Sequence, residues 1–179
     1  MAAFLLTLLV ALIAGLGARD QLLVAWMAAR QGQRTALLVT AIAVALLSAG
    51  VAGWAGMLAA PQLEPRARVY LVAMALGLAA LELLVQRPGR RPAEPTSSLG
   101  ALAVVLLAQQ LTDAARLLVF ALAASSAVPQ FAVLGGMLGC AGTAVLGWSG
   151  AERLAALPLA RVRAGLGVLL GGIAVYLVV

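Results

Sequence analysis

Six apolar runs, each long enough to cross a bilayer as an α-helix, take up most of this chain. They cover residues 3–29, 36–60, 69–85, 99–124, 128–148 and 162–179. Inside lipid no water is present to bond a free N–H or C=O, so such runs fold as helices that close their own hydrogen bonds. The expected fold is an all-α integral membrane bundle of six transmembrane helices. With 64% hydrophobic and 10% charged residues, a water-soluble globule of 179 residues has too little interior for this apolar surface. The first 20 residues lack a basic leader, residues 16–18 make a poor cleavage site, and the run resumes after Asp20. They are therefore expected to form a retained span and not a signal peptide.

The separators (30–34, 61–68, 86–98, 125–127 and 149–161) are turn-like or charged. The longest, 86–98, is rich in proline, serine and arginine and reads as a cytoplasmic linker. All twelve basic residues are arginines. If six helices alternate, one side of the membrane carries Arg30, Arg34, Arg87, Arg90, Arg91, Arg153, Arg161 and Arg163, and the other only Arg66 and Arg68. The positive-inside rule then puts both termini outside the cytoplasm of a bacterial plasma membrane. The net charge of +6 thus reports topology and a lipid partner, not nucleic acid.

The two sides of the linker repeat one another. QLLVAWMAA at 21–29 matches RLLVFALAA at 116–124, GWAG at 53–56 matches GWSG at 147–150, and ARV at 67–69 matches ARV at 160–162. The offsets are 95, 94 and 93. Residues 1–85 and 99–179 are thereby expected to be two three-helix repeats. An odd number of spans inverts the second in the membrane, the recurrent architecture of secondary transporters.

Four charges fall within apolar runs at matching places, Arg19 and Asp20 in the first, Asp113 and Arg116 in the fourth. A charge at the bilayer centre costs at least ~2.5–3.5 kcal/mol, so such residues usually face a cavity and mark a pathway. Asp113 and Arg116 share a helix face. Arg19 and Asp20 point about 100° apart, which leaves one for a cavity and the other for a neighbouring helix. Asp20 with Arg116, or Asp113 with Arg19, would pair naturally across a pseudo-twofold axis. Gln109, Gln110 and Thr112 supply oxygens beside Asp113 that could replace a small cation's hydration shell.

Glu82, near a helix end, is expected to snorkel or pair there. Glu64, Glu94 and Glu152 sit in loops beside arginines. Gly135, Gly139 and Gly142 have the spacing of close helix packing, and Trp54 and Trp148 that of interfacial anchors. There is no histidine, and Cys140 is the single cysteine. With no catalytic arrangement and no zinc or phosphate motif, neither an enzyme nor a resident cofactor is expected.

The arrangement resembles a family of small six-helix cation transporters of bacteria, thylakoids and the Golgi, which exchange manganese or calcium for protons. That family repeats E-x-G-D-[KR]-[TS], often followed by Q-L, in its first and fourth helices. GLGARDQLL at 15–23 keeps Gly17, Arg19 and Gln21 of the pattern, with Gly15, Ala18 and Asp20 in place of an acid, an acid and a hydroxyl. QLTDAARLL at 110–118 keeps Asp113, with Gln110, Thr112 and Ala114 in place of Glu, Gly and the basic residue. FALAAS at 120–125, VLGGMLG at 133–139 and LPLARVR at 157–163 extend the likeness. The resemblance implies a cation–proton exchanger with manganese or calcium as cargo. Its implied ion site is Asp113, as the metal ligand, with Gln110, Thr112, Asp20, Arg19, Arg116 and Gln21 around it. A full pair of signatures carries a net charge of about −2, suited to a divalent ion and its oxygen ligands, whereas Asp20 and Asp113 here balance Arg19 and Arg116. Two other roles remain open from the sequence. One is a non-transporting partner, in a homo- or hetero-oligomer with an intact homologue; the other is a small-solute exporter using Arg19 and Arg116.

Overall fold

The computed structural model describes residues 1–85, 98–150 and 158–179, and their regular structure is entirely helical. Among the described residues eight α-helices follow one another: α1 (Ala2–Gly15), α2 (Arg19–Gln31), α3 (Thr35–Ala59), α4 (Pro65–Val85), α5 (Leu99–Leu111), α6 (Ala114–Ser125), α7 (Pro129–Ser149) and α8 (Leu159–Val178). A 3-10 turn at Ala60–Gln62 prolongs α3. Alanine and leucine, both strong helix formers, recur in every helix. Punctuation is local: Pro129 opens α7, Ser98 caps α5 by accepting from the Ala101 amide, and Gly32 ends α2 at φ 76. Most of the expected linker (86–97), with Arg87, Arg90, Arg91 and Glu94, lies outside the described residues, as do Glu152 and Arg153.

Thr35–Gln62, Pro65–Val85, Pro129–Ser149 and Leu159–Val178 are each long and apolar enough to cross a membrane. The other two apolar runs are broken. The chain bends by 66° between α1 and α2 and by 58° between α5 and α6, so up to six spans result if each bent pair counts as one. This corrects the expectation of continuous helices over 3–29 and 99–124. At the first break Gly17 takes φ 67, a left-handed conformation natural to glycine. At the second, Asp113 is extended (φ −87, ψ 135) and its carboxylate accepts from the Ala115 amide as an N-cap. Asp113 thus starts a helix and does not interrupt one.

Small residues face inward and large ones outward. Leu5, Leu9, Leu47, Val51, Leu58, Leu81 and Val168 are each more than half exposed. The largest core cluster joins Ala14, Ala75, Ala79, Leu118 and Leu170 from α1, α4, α6 and α8. Lipid tails are as apolar as leucine, so helices in a bilayer associate through close packing of small residues. Long apolar helices with this inside-out pattern describe a multi-pass membrane protein.

The close approaches are backbone to backbone. A Cβ at Gly56 of α3 would strike the Phe120 carbonyl of α6, and one at Gly135 of α7 the Phe4 carbonyl of α1. Gly139 approaches the Leu8 carbonyl less closely, and Gly142 meets the Leu12 side chain. The glycine spacing read from the sequence is therefore packing, as expected. The principal helix contacts (α1 with α7, α4 with α8, α3 with α6 and α7) all join one sequence half to the other. Gly135→Val should lower the unfolding midpoint in detergent, by about 1–3 kcal/mol of overpacking. Gly165→Ala, where a Cβ meets open space, should leave it unchanged.

Candidate functional site

Asp113 and Arg116, one turn apart at the start of α6, form an ion pair through Asp113 Oδ2 and Arg116 Nη1. The same guanidinium reaches Asp20 Oδ2 on α2 at 3.4 Å and donates through Nε to Ser48 Oγ on α3 at 3.3 Å. Asp20 Oδ1 accepts from the Gln21 amide at 2.8 Å, and its Oδ2 accepts from Gln110 Nε2 at 3.0 Å. Ser48 closes the network by donating to Gln110 Oε1 at 2.8 Å. Asp20, Ser48, Gln110, Asp113 and Arg116 are all buried. Burying charge is costly unless it is paired and hydrogen-bonded, and here both carboxylates share one guanidinium. Of the two cross-pairings expected from the sequence, Asp20 with Arg116 forms. Asp113 with Arg19 does not.

The first break is held from three sides. Gln21, buried, accepts from the Gly17 amide at 2.7 Å and donates to the Thr143 carbonyl on α7 at 3.2 Å. Arg163 of α8 donates to the Gly17 carbonyl and, at 3.2 Å, to the Glu82 carbonyl of α4. A cation there also suits the partial negative charge at the end of α1. At the other break, Glu82 Oε2 accepts from the Ala114 amide that opens α6, at 2.9 Å.

Arg163, expected in a loop, lies within α8 and is buried. Glu82 pairs near its helix end, as expected, and its partner is the amide that opens the helix carrying Arg116. Neither partner was legible from local sequence. Arg163 lies 146 residues from Gly17, and Ser48 sits in an apolar run with no pattern around it.

A cavity of about 730 Å³ opens beside this network. Arg19, Asp20, Glu82, Gln109, Thr112, Asp113 and Arg116 contribute its polar wall, and Leu78, Leu81, Leu117 and Phe120 part of its apolar one. Arg19 and Thr112 are exposed. Among the described residues Arg19 makes no ion pair. Thr112 donates its hydroxyl to the Gln109 carbonyl at 3.2 Å, and Gln109 Oε1 is buried with no hydrogen-bond partner. All seven residues expected at the site line this cavity or touch the buried network directly: Asp20, Arg19, Gln110, Thr112, Asp113, Arg116 and Gln21. Gln21 does so through its backbone amide, while its side chain ties the α1–α2 break to α7. Among the described residues no three His, Cys, Asp or Glu side chains are placed to hold a metal ion. Asp113 has both oxygens engaged by Arg116 and the Ala115 amide.

Compared with models of protein families, with curated proteins and with solved structures, the chain finds no match.

Proposed function

We propose that this chain is a secondary transporter of six spans, built as two inverted three-helix repeats in which α1–α2 and α5–α6 are each one broken span. Discontinuous helices whose ends meet at a polar cluster are where transporters of this architecture place their sites. The observation that carries the proposal is the Asp20–Arg116–Asp113 triad, which links the two breaks beside a cavity. Two carboxylates against one guanidinium leave a single uncompensated negative charge. That surplus suits a proton or a monovalent cation as the coupling ion. Its arrival at Asp113 would weaken the Asp113–Arg116 pair and leave the guanidinium to Asp20 alone, tightening the coupling between α2 and α6.

Manganese and calcium, the ions implied by the family resemblance, are the alternative cargo. They would have to displace Arg116 and backbone amides to gather the six or so oxygens a hard divalent cation takes. The same engagement of the aspartates supports a second reading, a non-transporting partner of an intact homologue. We place the protein in a bacterial plasma membrane with both termini outside the cytoplasm, acting without a resident cofactor and not as an enzyme.

Proteoliposomes of the full chain, loaded with a pH-sensitive dye, test this against imposed sodium, potassium, calcium and manganese gradients. The expected result is cation-dependent proton movement that Asp113→Asn abolishes. Equal flux in that variant would remove Asp113 from the mechanism. Silence of the wild type with every cation, together with co-purification of an acid-rich relative, would favour the partner role.

A further inference from the structure

The charged groups around the cavity differ in how much bonding capacity they have left. Asp20 and Asp113 are buried, and all four of their carboxylate oxygens have donors. Arg116 spends its guanidinium on those two acids and on Ser48. Glu82 already accepts from the Ala114 amide. Arg19 is different: it stands exposed in the cavity wall without an ion pair among the described residues. Its guanidinium can present a planar fork of N–H donors to a carboxylate.

The uncommitted neutral groups have the opposite polarity. The Thr112 hydrogen is already donated, which leaves Oγ1 as an acceptor. Gln109 Oε1 is a second acceptor, still unpartnered. On the acidic side, the triad's surplus negative charge disfavours a dianion and favours a positive group. The rest of the wall includes Leu78, Leu81, Leu117 and Phe120. A cavity of about 730 Å³ with apolar walls and a few polar groups has the character of a small-molecule site, typically ~300–1,000 Å³. An inorganic ion gains nothing from leucine and phenylalanine.

We infer that the cavity takes a small organic zwitterion, its carboxylate on Arg19 and its ammonium toward Thr112, Gln109 and the acidic triad. This rests on the transporter reading and names its cargo. It takes up the small-solute role left open by the sequence, with Arg19 alone as the partner of the carboxylate, because Arg116 is already committed.

The test uses purified full-length protein in detergent and follows its thermal unfolding. The probes are glycine, L-leucine and L-glutamine, with two fragments of leucine as controls: 4-methylpentanoate lacks the ammonium and 3-methylbutylamine lacks the carboxylate. At least one zwitterion should raise the midpoint by mass action, and neither fragment should do so at the same concentration. Arg19→Gln should weaken the stabilising zwitterion by roughly 10–100-fold, the worth of a charge-assisted hydrogen bond, with Arg19→Lys in between. Stabilisation by sodium, calcium or manganese salts but by no zwitterion would overturn the inference, as would undiminished binding to Arg19→Gln.

Counterflow of the radiolabelled zwitterion in proteoliposomes separates the two claims. Binding without counterflow would defeat the transporter reading and leave the ligand class standing. Counterflow that needs Asp113 but not Arg19 would keep the transporter reading and overturn the assignment of the carboxylate to Arg19.

Discussion

Arg116→Met is expected to destabilise the protein by about 3–5 kcal/mol, the usual result of removing one partner from a buried ion pair. The loss here falls on two carboxylates at once. Asp20 and Asp113, both buried, would keep their backbone amide donors and lose the shared counter-charge. Ser48 would lose a donor as well. Methionine has nearly the length of arginine and fills most of the vacated space, so the deficit is electrostatic and not a cavity effect. The check is a rescue. Adding Asp20→Asn and Asp113→Asn to Arg116→Met should return most of the lost midpoint in thermal or denaturant unfolding, since well-packed neutral groups often replace a buried charge network without loss. If the triple variant is as unstable as the single one, the role of Arg116 is packing.

The second large effect is expected at Arg163→Leu. Its guanidinium serves the Gly17 carbonyl at the α1–α2 break and the Glu82 carbonyl on α4. The buried Gly17 carbonyl left without a donor costs about 1–3 kcal/mol, and the part-buried Glu82 carbonyl less. Arg163→Lys keeps the charge but not the fork, and should recover only part of the loss. Unfolding midpoints of the three proteins in one detergent decide the matter. A full recovery by lysine would show that charge alone, and not the paired donors, holds the break.

The class of fold was legible because the bilayer imposes a length on every apolar run, and the arginine-bearing separators marked the ends. The breaks were not. A kinked apolar segment has the same hydropathy as a straight one, and hydropathy alone places Asp113 in mid-helix. The cue was nevertheless present: a Thr-Asp pair directly before an alanine-rich run is an N-cap signal. Asp20, Gln110, Asp113 and Arg116 were recognisable since a polar group inside an apolar run needs a partner somewhere. Ser48, and the partners of Glu82 and Arg163, were not legible for the complementary reason. A serine on a helix is unremarkable, and a charge near a helix end has water or a headgroup as its default partner, so only the folded arrangement reveals where each reaches.

The seams at Gly56 and Gly135 bear on how the protein is made. α3 rests on α6, and α1 on α7, so each sequence half supplies the surface that the other half's small residues were selected to touch. Synthesis runs from the amino terminus, and α1 to α4 enter the bilayer while α6 and α7 have yet to be translated. During that interval alanine and glycine faces, with Asp20 still lacking its arginine, stand against lipid or the insertion machinery. The segment joining the halves therefore does more than connect them. It keeps the two in one-to-one ratio and sets the waiting time before the first half finds its partner.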